Sequence, residues 1–357
     1  MTVHEAFDQA RSAHQQGNVA LAESLYRQVL QADPAHVAAW YLLGVACHAL
    51  GKLGEAERSL GEALRRQPAH AEAWNHLGIV SAQAGKVEES VACFHKALQA
   101  RPEFPDARKN LSLACDSPAT QQLASALTNQ GVEQEGRGRL DAACECYRRA
   151  HALQPNSAPF CRNLGIALGK LGRLEDAVAM LRRAVALQPE FAEAYQALGA
   201  ALHHLDRRSE ATEAYRHAIR LKPDLAGAHS NLGDLLAKAG DLDAAAESYR
   251  RAIALRPDFA PAHNNLGIAL SELGRLADSV ASYRHALRLK PDYVDAQSNL
   301  LKAINYDPAR SPEALLAEHR RWRDVYGSPA VLGPAPGHDR NPDRPIRVGY
   351  VSPDFRT

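Results

Sequence analysis

Prolines recur along this chain at a fixed spacing, and that spacing constrains the fold more than any other feature. Eight of them lie 34 residues apart, except for one interval of 53 residues: Pro34, Pro68, Pro102, Pro155, Pro189, Pro223, Pro257 and Pro291. A period of this length predicts an array of supersecondary units, because each unit can bury its apolar face only against its neighbours. The sequence therefore predicts a repeat array.

Small and large residues alternate at fixed positions inside each repeat. When the proline is numbered position 32, the repeats begin at residues 3, 37, 71, 124, 158, 192, 226 and 260. Position 8 and position 15 are each glycine in seven of the eight repeats. We expect the position-8 glycines to let a partner helix approach closely, and the position-15 glycines to form the turn between two helices. Position 24 is always large: Tyr26, Leu60, Phe94, Tyr147, Leu181, Tyr215, Tyr249 and Tyr283.

This pattern of positions resembles the tetratricopeptide repeat. The resemblance implies an all-α fold, a right-handed superhelical solenoid of antiparallel helix pairs. In such a solenoid the first helix of each pair lines a concave groove. The function implied is a protein–protein interaction scaffold that binds partner proteins or peptides in that groove.

Departures from the period divide the chain into segments. Residues 3–104 hold three repeats and residues 124–293 hold five, and between them residues 105–123 predict one unpaired helix and a break in the stack. The remaining segments are a terminal half-repeat with a capping helix over 294–326, a Pro/Gly-rich linker over 327–345, and a short β-strand over 346–357.

The last residues, RPIRVGYVSPDFRT, follow NYDPARSPEALLAEHRRW. Together they resemble the start of the catalytic region in protein O-GlcNAc transferases, which transfer N-acetylglucosamine from UDP-GlcNAc to Ser or Thr of proteins. The resemblance implies that 346–357 is the first strand of a truncated α/β catalytic domain. The family's catalytic histidine and nucleotide site would fall after Thr357, so no catalytic residue is assigned and the chain as given is expected to be inactive. The alternative is a non-enzymatic adaptor for partner assembly.

Asparagine recurs at position 6 and forms the candidate site. The residues are Asn110, Asn129, Asn163, Asn231, Asn265 and Asn299, whereas Ala197 occupies this position in one repeat. A carboxamide is both donor and acceptor, so a row of them can bind the peptide groups of an extended chain. This resembles the asparagine ladder in the groove of the transferase family. The alternative is that each asparagine bonds to its own neighbours. Asparagine has a low propensity for the interior of a helix, so its repeated presence there favours a binding role.

Charge and composition exclude several other functions. Lys plus Arg is 42 and Asp plus Glu is 41, so we expect neither nucleic acid nor a membrane surface as partner. No apolar run reaches membrane-spanning length and no secretory signal precedes the repeats, which predicts a cytoplasmic protein with reduced cysteines. No metal site and no cofactor are predicted, because the adjacent His203 and His204 point apart on a helix and no Gly-rich phosphate loop occurs. The sequence leaves open whether the chain forms a homodimer.

Overall fold

The computed structural model describes residues 2–306, 313 and 316–320, and these form helices joined by short turns, with no strand among them. The chain divides into two compact units between Pro257 and Asp258. The first unit contains α1 (Val3–Gln15), α2 (Val19–Ala32), α3 (Val37–Ala49), α4 (Leu53–Arg66), α5 (Ala71–Gln83), α6 (Val87–Ala100), α7 (Pro105–Asp116), α8 (Pro118–Gly136), α9 (Leu140–Leu153), α10 (Ala158–Lys170), α11 (Leu174–Leu187), α12 (Ala192–His204), α13 (Arg208–Leu221), α14 (Ala226–Lys238) and α15 (Leu242–Leu255). The second unit contains α16 (Ala260–Glu272), α17 (Leu276–Leu289) and α18 (Val294–Asn305).

Each predicted repeat is a pair of contacting helices, and each repeat packs on the next within its unit. The turn between the two helices depends on position 15. Seven glycines adopt positive φ angles there, from 73° to 84°, and Asp206 takes the same place with φ of 57°. This is the left-handed region, in which a glycine is not strained. The all-α fold of antiparallel helix pairs is therefore confirmed, as is the role of these glycines.

The two helices of a repeat pack through the contact of position 8 with position 24. A Cβ atom built on Gly44 would lie 2.6 Å from Cγ of Leu60, and one on Gly199 would lie 2.7 Å from Cε1 of Tyr215. The other glycines at position 8 meet the large residue of their own repeat in the same way. The large side chain therefore packs directly on the backbone of the first helix, as the alternation of small and large residues predicts.

The repeat prolines also provide a hydrogen-bond acceptor. The Nε1 of Trp40 donates to the carbonyl oxygen of Pro34 at 2.9 Å, and the Nε1 of Trp74 donates to that of Pro68 at 2.8 Å. The donor is at position 4 of the next first helix in both cases. Proline has no N–H group, so it cannot extend the preceding helix. Its carbonyl group accepts a hydrogen bond from the first helix of the next repeat.

The segment between the third and fourth full repeats contains one extra helix. Helix α7 ends at Asp116, and α8 begins at Pro118, six residues before the start that the period predicts. Ser117 alone joins them, and its Oγ accepts from the backbone N–H of Thr120 at 3.2 Å. The Thr120 hydroxyl in turn donates to the carbonyl oxygen of Ala114 at 2.7 Å. The residues after Ser117, which the period assigns to the break, thus extend the next first helix, because Ser117 and Thr120 cap it earlier.

The second helices of the third and fourth full repeats, α6 and α9, pack on each other although the extra helix α7 lies between them in the sequence. Arg149 of α9 donates from Nε and one terminal nitrogen to the carboxylate of Glu88 on α6, at 2.9 and 2.8 Å. This segment therefore adds one first helix without adding a second helix.

Beyond α18, residues 316–320 are helical. Glu318 is buried and accepts from Arg284 of α17 at 2.6 Å, and His319 lies 3.2 Å from the side-chain oxygen of Asn305. The linker predicted over 327–345 and the strand predicted over 346–357 lie outside the described residues. In the part of the chain that the structure describes, no helix is long and apolar enough to cross a membrane.

We expect Gly44→Ala to lower the free energy of unfolding by about 1–3 kcal/mol, because the new methyl group overlaps Leu60. Gly61→Ala on the paired helix is the matched control, since nothing lies within 4 Å of the added Cβ. It should raise the free energy of unfolding by up to about 1 kcal/mol, because alanine is the better helix former. Urea unfolding followed by circular dichroism measures both changes. Equal effects of the two substitutions would contradict the packing role of position 8.

Candidate functional site

The asparagine series lies on the first helices of the repeats. We call the surface that carries positions 5, 6, 9, 12 and 13 of these helices the first-helix face. In the first unit Asn110, Asn163 and Asn231 are half-buried and Asn129 is exposed. In the second unit Asn265 and Asn299 are half-buried. All six are therefore at least partly accessible from this face.

Hydrogen bonds join successive first helices at three equivalent places in the described part of the chain, and we call this set of contacts the upper row. A residue at position 5 contacts position 6 of the next first helix, 35 residues later in the chain. The Nδ2 of Asn110 donates to Oδ1 of Asn75 at 3.0 Å, and that of Asn299 donates to Oδ1 of Asn264 at 3.1 Å. The Tyr41 hydroxyl lies 3.3 Å from Nδ1 of His76 in the same arrangement.

A second set of contacts, the lower row, joins position 12 to position 13 of the next first helix. His48 lies 3.0 Å from the side-chain oxygen of Gln83, and Nζ of Lys238 lies 2.8 Å from Nε2 of His203. Lys170 pairs with Glu135 at the equivalent place. Neither row was predicted from the sequence: polar residues do recur 35 apart, but which of them meet depends on how the repeats stack.

Three of the remaining asparagines, Asn163, Asn231 and Asn265, also have partners within the chain. Asn163 accepts from a terminal nitrogen of Arg162 at 3.3 Å, and Asn265 accepts from Nδ2 of Asn264 at 3.1 Å. Burial raises the pKa of the Tyr215 hydroxyl, and a side-chain hydrogen bond with Asn231 opposes that rise. Bonding to neighbours, the alternative left open by the sequence, is thus what the free chain contains. A carboxamide has two N–H donors and two acceptor sites, so one such bond does not exhaust it.

Two cavities open on the first-helix face of the first unit. One, of about 370 Å³, lies between α10 and α12 and includes Ala197, the residue that interrupts the asparagine series. The other, of about 510 Å³, lies where α7 joins α8 and includes Asn110 and Leu113. Leu113 is 61% exposed. Both cavities lie where the chain departs from its repeat pattern.

One cluster of possible metal ligands occurs among the described residues. Ligand atoms of Glu23, Cys47 and Glu55 lie within 4.8 Å of one another. However, Nζ of Lys52 donates to both carboxylate oxygens of Glu23 at 2.7 and 2.8 Å, and Arg27 pairs with both glutamates. These hydrogen bonds hold the pKa of Glu23 below its usual range despite burial, while burial and the Glu23 charge raise the pKa of Cys47 to about 11. Cations thus already occupy the carboxylates and the thiol stays protonated, so the cluster fits an ion-pair network.

His76 takes the place of an asparagine in the upper row. Its pKa is lowered, mainly because the ring is buried, although a hydrogen bond with the carbonyl of Glu72 opposes this shift. The folded chain therefore holds His76 neutral at pH values at which the unfolded chain begins to bind a proton. Free histidine titrates near pH 6.5. Stability from this group is present above that pH and is lost as pH falls from about 6.5 through the lowered pKa.

We predict that His76→Asn reduces the loss of stability as the pH falls, because asparagine does not titrate and already occupies the same position in other repeats. Urea unfolding between pH 7.5 and pH 5 gives the free energy of unfolding at each pH. The slope should be shallower in the variant than in the unsubstituted chain, and the other histidines, present in both proteins, cancel in the comparison. Identical slopes would show that His76 is not held neutral.

The fold and its first-helix face define a class of protein, an array of helical hairpins that acts as a protein-interaction scaffold. Models of the tetratricopeptide repeat match residues 13–78, 71–104, 192–225 and 260–293, and a model described as TPR repeat matches 167–206 and 233–274. Together they match more than half of the chain. The chain belongs to the tetratricopeptide-repeat family.

Solved structures with a similar fold include MamA, which is 29% identical over 45% of this chain and 94% of its own, with a TM-score of 0.41. A thermophilic tetratricopeptide-repeat protein of Thermus thermophilus, TTC0263, is 26% identical over 51% of this chain and 99% of its own, with a TM-score of 0.45. The Cut9–Hcn1 hetero-tetramer of the APC/C is 18% identical over 80% of this chain and 52% of the matched chain, with a TM-score of 0.45. No protein with a curated description matches the chain.

Proposed function

We propose that the first-helix face binds an extended segment of a partner protein through its asparagine series. The observation that carries this proposal is the recurrence of partly accessible carboxamides at position 6 of the first helices, two of which, Asn110 and Asn299, are held by an asparagine of the preceding first helix. A side chain already held by a neighbour loses less conformational entropy when it binds a ligand. The arrangement therefore suits repeated, individually weak contacts with a polypeptide.

The chemistry of the carboxamide decides which part of the ligand is recognised. An amide presents the same donor and acceptor pair as a peptide group, so it can bond to a backbone C=O and N–H together. Such contacts do not depend on the ligand's side chains. The proposed ligand is accordingly a segment that is unfolded or extended when it binds, with its backbone groups accessible.

We further propose that this scaffold serves as the substrate-recruiting part of a protein O-GlcNAc transferase-like protein. The support is the resemblance of residues 346–357, with the sequence that precedes them, to the start of that family's catalytic region. A protein that includes the sequence following Thr357 should transfer N-acetylglucosamine from UDP-GlcNAc to a Ser/Thr peptide, measured by mass spectrometry. Absence of transfer, with binding of the peptide retained, would favour the adaptor function instead.

For the binding proposal, we expect the triple substitution of Asn129, Asn163 and Asn231 by Ala to weaken binding of a short acetylated, amidated peptide rich in Ser and Thr. Each neutral hydrogen bond contributes about 0.5–1.5 kcal/mol net. Three of them correspond to a loss of about tenfold or more in affinity, if their effects add. Fluorescence anisotropy with a labelled peptide measures the affinity.

The matched control is Asn156→Ala. Asn156 lies in the turn after α9 and bonds to Arg183 at 3.2 Å, away from the asparagine series. This variant should bind the peptide as the unsubstituted chain does, and thermal melting of each variant checks that the fold survives. Unchanged affinity in the triple variant would show that these asparagines support the fold and not a ligand.

A further inference from the structure

The upper-row contact is absent between α10 and α12, where a charged residue occupies position 5. Arg162 is at position 5 of α10, and its partner at position 6 of the next first helix would be residue 197. Asparagine or histidine receives this contact where the row is formed, as in Asn75–Asn110 and Tyr41–His76. Ala197 has no polar side chain with which to continue it. Arg162 therefore faces an alanine, whereas the position-5 residues of α3, α5 and α16 meet a polar side chain of the next first helix.

The missing side chain leaves a cavity instead of a contact. The cavity of about 370 Å³ between α10 and α12 is lined by both Arg162 and Ala197, and by the apolar Ile166 and Leu181. The Nε atom of Arg162 is buried, and no described residue accepts a hydrogen bond from it. A terminal nitrogen of the same guanidinium donates to Asn163, its neighbour in the chain, at a long 3.3 Å, and the guanidinium lies 5.7 Å from the centre of the Phe191 ring.

The charges around the cavity favour an anion. Glu193 also lines it, and its carboxylate accepts from Lys222 at 2.9 Å; this bond is the main cause of its lowered pKa, with a smaller contribution from the charge of Arg162. Lys170 on the cavity wall is paired with Glu135, so these charges balance and the charge of Arg162 is in excess. A guanidinium with an unsatisfied N–H in a half-buried site is well matched to a carboxylate, which accepts two N–H bonds at once.

We propose that this cavity binds an acidic side chain of the polypeptide on the first-helix face. The proposal rests on the proposed function, because the acidic side chain belongs to the same bound segment. The backbone of the segment contacts the asparagines, and one Asp or Glu side chain enters the cavity at Ala197. Its methylene groups contact Ile166, and its carboxylate bonds to Arg162. Binding is then tolerant of sequence along the face and selective at this one position.

The test uses two labelled peptides that are acetylated and amidated, so that neither has a terminal carboxylate. Both are rich in Ser and Thr; one carries spaced Glu residues and the other carries Gln at the same places. The unsubstituted chain should bind the Glu peptide about tenfold or more tightly, since hydrogen bonds to charged groups are worth more than neutral ones. Arg162→Gln should abolish that preference, so that the two peptides bind with equal affinity.

Arg183→Gln is the matched control, because it removes the same charge from the same repeat, on α11, where Arg183 bonds to Asn156. It should retain the preference for Glu. Ala197→Asn is the complementary variant: the new carboxamide can accept from Arg162 as other members of the row do, and it fills the cavity. It should also remove the preference, with melting temperatures confirming that all variants are folded.

The outcomes separate the two proposals. Equal binding of both peptides by the unsubstituted chain would overturn the acidic subsite and leave the proposed function standing. A preference that persists in Arg162→Gln would also overturn it, because the selectivity would then come from overall charge. If neither peptide binds, the proposed function itself fails, and the acidic subsite fails with it.

Discussion

The contact between the glycine at position 8 and the large residue at position 24 is the interaction on which the rest of the structure depends. Because the glycine has no Cβ, the large side chain reaches the backbone of the first helix, as Leu60 does at Gly44 and Tyr215 at Gly199. That close approach fixes how the two helices of a repeat lie against each other. Since the same contact recurs in repeat after repeat, each first helix within a unit is presented to the next in the same way.

The two rows of hydrogen bonds follow from this regularity. When hairpins of equal geometry stack with a period of 34 residues, each position of a first helix meets the following position of the next first helix, so the residues in contact are 35 apart. The upper row contains Asn75–Asn110 and Asn264–Asn299, and the lower row contains His48–Gln83 and His203–Lys238. Polar groups on a partly buried face require partners, and the neighbouring repeat supplies them. The asparagines that we propose as ligand contacts are thus also part of the fold.

The sequence predicts most of this architecture because the information is local. Helix pairs, the glycine turns and the packing of position 24 all follow from residue types at fixed spacing, and the structure confirms them. The period alone does not give the end of α7 or the early start of α8. The turn and helix-start residues Asp116, Ser117 and Pro118 indicate both, and Ser117 caps α8 together with Thr120. The rows were missed for a different reason. A hydrogen bond between repeats depends on the register of two hairpins, which is known only once the hairpins are stacked.

The regular stacking of the repeats also determines where selectivity can arise in a scaffold of this kind. Identical repeats offer identical contacts, so a regular asparagine series can bind a backbone but cannot distinguish one segment from another. To distinguish one bound segment from another, the scaffold needs a place at which the repeat pattern is broken. The chain has two such places in its first unit, the apolar cavity beside Leu113, where an extra helix is inserted, and the cavity at Ala197, where the row loses a side chain. At the cavity beside Ala197, the alanine offers Arg162 no polar partner. The departure from the pattern therefore also supplies a guanidinium group to which a ligand can bond.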